Sequence, residues 1–453
     1  MHVDESSLEG TLKVLNTIFC DTLKMSAEDL QKHGLVFCTG DQLTISLLDK
    51  ASASRRDDSE LLDNVGCYTK GQLGLFHMKI TGDQAVNSLL GRKAIAAGWK
   101  SKTLPPFHPT WELILKMALP AHIIDAYRLH CLQDTVENWV VGLKDREEVH
   151  QAAKKIHVEL CSPRCVSRMR RFPLPQWDVP LENIMLFLYY ALLLRKFGHA
   201  IKHGDVGSVV NILAHWMVIF CGTGKMPKYA DALFYLLVSL NDAFLKNWLA
   251  NLTGKVNGFK EMDLLQEHQN FWAKIIYCAG GSNRSWSWLT MVTVSIFTLR
   301  DVICRVQVQY QTPHNNDSHM SPSTVEDLKD LREYLEMQKL QSFHPTCEHN
   351  KYAIPARDLM AAGAAYANKS GAYKNFQCDT RKAVNKGVSE GAPRAAMPES
   401  EDEPDMSYHD LSNDAEVGMN DLAMDEEEFP LGTNPERYVA MTLEVIEELS
   451  KYD

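Results

Sequence analysis

Apolar residues recur at helical spacing along most of the chain. Leu12, Leu15, Ile18 and Phe19 set a helical stripe within Leu8–Leu23, and Ser26-Ala-Glu-Asp29 reads as the capped start of a second short helix. The period then changes. Leu35-Val-Phe-Cys-Thr39 is a short apolar run closed by Gly40, which predicts a buried strand ending where Asp41 turns into a helix over Gln42–Leu48. Leu73-Gly-Leu-Phe76, followed by His77 and a helical pattern over Met78–Leu90, repeats the strand-then-helix order. Two such units predict a small parallel sheet.

From Trp111 onward the pattern predicts helices over Trp111–His130, Val136–Leu160, Leu181–Ile201, Val206–Phe220, Tyr229–Leu252, Asp263–Ala279 and Trp286–Gln309. Breaks fall at Cys161-Ser-Pro-Arg164, Phe172-Pro-Leu-Pro175, Gly222-Thr-Gly-Lys225 and Thr312-Pro-His-Asn-Asn-Asp-Ser318. The expected fold is mostly α with a small parallel β element. Residues 1–310 are expected to form this helical and αβ domain, and residues 311–386 a helical extension with helices over Ser323–Gln341 and Pro355–Asn368. Residues 387–434 are polar, acidic and Pro-bearing, the composition of a disordered tail, and 435–451 carry a short amphipathic helical stretch, clearest over Pro435–Leu449.

Charge changes the picture once it is divided along the chain. Thirteen acids and no Lys or Arg lie between Glu399 and Glu428, and residues 429–453 add a further −3. Removing both from the total of −11 leaves residues 1–398 at +5. A mildly basic body tolerates a phosphate-bearing partner without announcing one, and the acidic tail is a candidate surface for protein partners. Eleven scattered cysteines, an odd number, read as reduced thiols and an intracellular setting. The acidic N-terminus lacks the order of a secretory signal, and the longest uncharged apolar run, Ile184–Leu194, falls short of the roughly 20 residues that cross a bilayer, so no membrane span is expected.

Two positions carry candidate chemistry. On a helix beginning at Asp263, residues Asp263, Glu267, Asn270 and Lys274 fall on one narrow polar stripe, with Leu264, Leu265, Phe271, Trp272, Ile275 and Ile276 opposite. Such a stripe is either a solvated face or a carboxylate lip over a site, with Glu267 as metal ligand or base. Asp41 leaves the carboxyl end of the first predicted strand, where open α/β sheets place ligands. It is either a helix N-cap or a group aimed into that crevice, facing Glu267.

Gly40-Asp41-Gln-Leu-Thr44, Leu75-Phe-His77, Lys228-Tyr-Ala230 ahead of a Leu-rich helix, and Asp263 with Glu267, Asn270 and Lys274 together resemble a fungal family, domain of unknown function 6589. The resemblance runs over roughly residues 10–310 in the right order. That family is similar in layout to transposase-type, ribonuclease-H-like domains, which implies a truncated core of that kind with a large helical insertion. It further implies two-metal phosphoryl transfer on nucleic acid with Mg or Mn. In that scheme Asp41 and Glu267 match the second and third acidic positions as catalytic and metal-binding residues. The first position has no match, because Asp21 lies in a helical pattern ahead of the strand. Either the reading frame has lost its beginning or the domain is an inactive relic, and a catalytically incomplete site is the expectation. The ancestry also implies a nuclear location, which no Lys and Arg run supports.

Other groups weigh less. Arg164, Arg168, Arg170 and Arg171 within eight positions, together with Lys274, could clamp nucleic-acid phosphates, although a solvent-exposed loop is the commoner explanation for the arginines. Arg92, Lys93, Lys100 and Lys102 form a looser basic group. Cys161 and Cys165 with His344, Cys347 and His349 would hold zinc only if the two segments met, and unpaired structural thiols are the simpler reading. Gly222-Thr-Gly-Lys225 lacks the hydroxyl residue of a phosphate loop, and His268 falls on the apolar side of its helix.

Overall fold

A computed structural model describes residues 7–54, 68–96, 107–131, 136–143, 145–224, 226–238, 247–268, 286–310, 324–351 and 353–370. The architecture is mostly helical with one small parallel sheet. Helices α1 (Leu8–Asn16) and α2 (Ala27–His33) lead into strand β1 (Val36–Gly40), and α2 starts on the expected capping box of Ser26 and Asp29. Helix α3 (Gln42–Ser54), strand β2 (Thr69–Leu73) and helix α4 (Leu75–Ala96) follow. β1 and β2 pair in parallel, from Val36 opposite Thr69 to Gly40 opposite Leu73.

The second strand therefore lies four residues earlier than its apolar signal, and Leu75 and Phe76 open α4 instead of extending β2. Tertiary contacts explain the shift. The polar run Thr-Lys-Gly-Gln is held by partners that periodicity does not register, with Lys70 donating to the Tyr235 hydroxyl at 2.8 Å and Gln72 fully buried.

The helical body comprises α5 (Phe107–Glu112), α6 (Leu119–Cys131), α7 (Val136–Gly142), α8 (Arg146–Ile156), α9 (Pro163–Met169), α10 (Val179–His203), α11 (Val206–Thr223) and α12 (Pro227–Val238). The single helix expected over 136–160 is interrupted, because Asp145 caps a new start by accepting the Glu148 N–H at 3.0 Å. α10 is the central post. It is buried on nearly every side, capped by Asp178 and closed by Gly204 in the left-handed region at φ 70°. α10 and α11 are long and apolar enough to cross a membrane; in α10 72% of the apolar window is buried and in α11 44%. In α10 the apolar run is cut short by polar residues, of which Glu182, Asn183 and Lys196 are buried, whereas α11 carries no charged residue and turns Asn211 and His215 to its exposed side.

The helix expected over Tyr229–Leu252 is also corrected. Leu249–Ala250 form β3, antiparallel to β4 (Lys260–Glu261), and a helix over 262–268, α13, follows at once. Then come α14 (Trp286–Tyr310), α15 (Thr324–Gln338) and α16 (Leu359–Ser370). α15 packs on α6, and α16 crosses α11 at very short range. A Cβ on Gly222 would stand 1.9 Å from the Leu359 carbonyl oxygen, and one on Gly363 1.8 Å from that of Val218, so only glycine permits this crossing. The acidic tail and the Pro435–Leu449 stretch lie outside the described residues.

Candidate carboxylate site at the sheet edge

The carboxyl ends of β1 and β2 are joined by the Gly74 N–H, which donates to the Gly40 carbonyl at 2.8 Å. At this edge α4 begins, and its first N–H groups need acceptors. Asp263 supplies them from the far side of the helical body. Its Oδ1 accepts the Phe76 N–H at 3.1 Å, and its Oδ2 accepts the His77 N–H at 3.0 Å and stands 3.0 Å from His77 Nδ1. A Cβ on Gly74 would fall 2.1 Å from Asp263 Oδ2, so the absence of a side chain there is what admits the carboxylate. The β3–β4 hairpin aims it: Trp248 Nε1 donates to the Leu73 carbonyl at 3.2 Å, and the Met262 N–H donates to the Trp248 carbonyl at 3.0 Å.

His77 is the hub of the edge. Burial opposes its charged form, yet the hydrogen bond and charge of Asp263, joined by the charges of Asp41 and Glu267, hold its pKa above the ordinary value. The structure thus brings Asp41 and Glu267, far apart in sequence, within electrostatic reach of one imidazole. Asp41 is also a helix cap, its Oδ1 accepting the Thr44 N–H at 2.7 Å. Glu267 is half-buried and forms no hydrogen bond with another described residue. Tyr229, hydrogen-bonded to Thr81, has its hydroxyl pushed up to about 12 by burial and by the charges of Asp41 and Asp263, and Thr81 donates to the His77 carbonyl at 2.8 Å. On the flank, Lys79 lies 3.6 Å from the buried Glu261 and 5.0 Å from the centre of the Trp111 ring.

The remaining candidates lie elsewhere. Arg164 and Arg168 are exposed on α9 and Arg171 just beyond its end, while Arg168 donates to the Val158 carbonyl. Arg170 is engaged by Glu182 at 2.6 Å and Asp358 at 2.8 Å, which makes it a structural cation. Lys274 and Asn270 lie outside the described residues, as do Arg92, Lys93, Lys100 and Lys102 at the level of side chains. Among the described residues no three His, Cys, Asp or Glu side chains gather closely enough to hold a metal ion. Both Asp263 oxygens are already committed to α4 and His77, so the residues present do not fit a two-ion centre. Cys161 and Cys165 form no metal-holding group with His344, Cys347 or His349 either, and burial pushes the Cys161 thiol up and Cys165 up to about 11.

Sequence reading placed Asp263 in a stripe with Glu267 and missed its role as the cap of α4. The signal available was Gly74 directly ahead of a helix that has no local capping side chain. His77 and Tyr229 entered only through the family resemblance, as parts of Leu75-Phe-His77 and Lys228-Tyr-Ala230.

Fold and site define a mostly helical protein with a carboxylate–imidazole edge at the carboxyl ends of two parallel strands. The sequence profile of a family of unknown function, DUF6589, matches residues 1–319, and the chain belongs to that family. No curated protein and no solved structure matches it.

Proposed function

We propose that this chain is a nucleic-acid-processing domain derived from a fungal transposable element, built on a truncated ribonuclease-H-like core and catalytically incomplete. The observation that supports this reading is that Asp41, at the carboxyl end of β1, and Glu267, on α13 beyond the helical body, both raise the pKa of His77 through their charges. Two parallel strands with an acid at the carboxyl edge, a long helical insertion and a returning acidic helix is the layout expected of such a core. The set is incomplete because no acidic strand precedes β1 among the described residues. What this chain's residues do in that reading is bind: the arginines of α9 and the basic balance of the body meet phosphates, and the edge orients a strand without cutting it.

The test is paired. Single- and double-stranded DNA and RNA should bind the full chain with an affinity that falls steeply with salt, and neither Mg nor Mn should support strand scission. Scission abolished by Glu267→Gln would overturn the incompleteness, and no binding to any of the four at low salt would overturn the nucleic-acid role. A second reading, a helical interaction module working through the acidic tail, draws support from the exposed apolar side of α14.

A further inference from the structure

The stretch that leaves α9 meets the segment that follows α15, and each brings one exposed aromatic ring. Phe172, 44% exposed, and Phe343, 41% exposed, stack with 5.3 Å between ring centres and 27° between planes. Stacking covers one face of each ring and leaves the pair an outer face toward water. Both segments are held to their paths. Trp177 Nε1 donates to the Phe172 carbonyl, Asp178 accepts the His344 N–H at 2.9 Å, and Gln341 donates to the His122 carbonyl at 2.8 Å. Thr346, a β-branched residue at φ 63°, holds the second segment in a conformation that costs energy. The ring pair is therefore a fixed platform.

Cations lead up to it along one face. At helical spacing the exposed Arg164, Arg168 and Arg171 fall within about 60° of one another, opposite the buried Cys165, Val166 and Met169. The turn carries on to the platform, since the Arg171 N–H donates to the Arg168 carbonyl and the Phe172 N–H to that of Met169. Arg170 alone points inward, to Glu182 and Asp358, and neither Arg168 nor Arg171 has an ion pair with a described residue. Residues 162–177 hold four arginines and no acid, and residues 339–347 hold one lysine and no acid. Asp178, next in the chain, is buried and spent on the Leu181 and His344 N–H groups. We infer that this surface binds single-stranded nucleic acid, a base lying on the outer face of the Phe172–Phe343 pair while Arg164, Arg168 and Arg171 take the phosphates; the inference rests on the nucleic-acid reading above and names its subsite. A duplex hides the faces of its bases, and an acidic peptide offers charge without flat rings, so the aromatic pair selects the unpaired strand.

Fluorescence anisotropy of the full chain tests this with labelled oligothymidine, oligouridine and a DNA duplex, each about 20 nucleotides long. Both single strands are expected to bind more tightly than the duplex, and the order of the two names the sugar that the site prefers. Phe343→Leu and Phe172→Leu keep apolar bulk and remove one ring each, and an unchanged unfolding temperature verifies their fold. Each should weaken single-strand binding about tenfold and leave duplex binding as it was. Arg171→Gln should weaken both and flatten the salt dependence on a single strand by about 0.7 in log–log slope. Single-strand affinity equal in the wild type and both leucine variants, or a duplex bound more tightly than either strand, would overturn the platform and leave the proposed function standing. No binding to any of the three probes would overturn both.

Discussion

Beneath the C-terminal extension, Arg170 sits between Glu182 and Asp358 with hydrogen bonds to both, and Asp358 also accepts from the Ala361 N–H and the Tyr190 hydroxyl. Nearby chain is tied down in the same manner: Asn183 bonds the Ile354 carbonyl and the Ala356 N–H, and Asn350 bonds the Val179 N–H and the Trp177 carbonyl. Of the three acids at the sheet edge only Asp263 bonds His77, while Asp41 and Glu267 act on it through space. One region meets its acids with a permanent cation and direct bonds. The other gathers three acids around a titratable ring and leaves Glu267 without a bond to any described residue. Satisfied charge of the first kind fastens a fold, and unsatisfied charge of the second kind is what chemistry or recognition requires.

The contrast can be broken at its structural end first. Arg170→Ala strands two largely buried carboxylates and is expected to cost about 4 kcal/mol, read by urea unfolding. A loss below about 1 kcal/mol would mean that the extension is not fastened there.

Acid should act next, and with opposite sign in the two regions. His122, packed against Phe187 and hydrogen-bonded by Gln341 of the extension, is pushed down to about 4 by burial. The unfolded chain takes up that proton more readily, so stability falls as pH drops from about 6.5 to about 4, by on the order of 3 kcal/mol. His77 has a raised folded pKa, so its contribution is fully present below about 6.5 and fades as pH rises through the folded value. Urea titrations of His122→Asn should lose the acid slope, and those of His77→Gln should keep it.

A smaller effect sharpens the edge itself. Asp263→Asn leaves at least one N–H of α4 without its acceptor and is expected to cost about 2 kcal/mol. Glu267→Gln should change stability by less than about 0.5 kcal/mol, because Glu267 fastens nothing. Equal losses in the two variants, measured by thermal unfolding, would make both residues structural.

How much of this the chain disclosed depends on how local each cause is. The capping box at Ser26, the place of the strand before Gly40 and the helices α10 and α11 rest on neighbours a few positions away and read correctly, although β1 is half-buried where a buried strand was expected. β2 was displaced because its polar residues are stabilised by Tyr235 and by burial, and because the helix start at Leu75 is capped by Asp263 from 187 positions away. The helix over Tyr229–Leu252 was overextended because the pairing of Leu249 with Glu261 competes only once the hairpin has closed. In the site, Asp41 and Glu267 were nameable as acids at suggestive places. The imidazole they share and the carboxylate that positions it became visible only with the β3–β4 hairpin in place.

The central claim is that one imidazole feels both distant acids. NMR titration of the His77 ring in the wild type, Asp41→Asn and Glu267→Gln measures it directly. The apparent pKa of His77 should lie above the ordinary value in the wild type and fall in each variant. A His77 pKa identical in all three proteins would show that the two carboxylates do not share an edge.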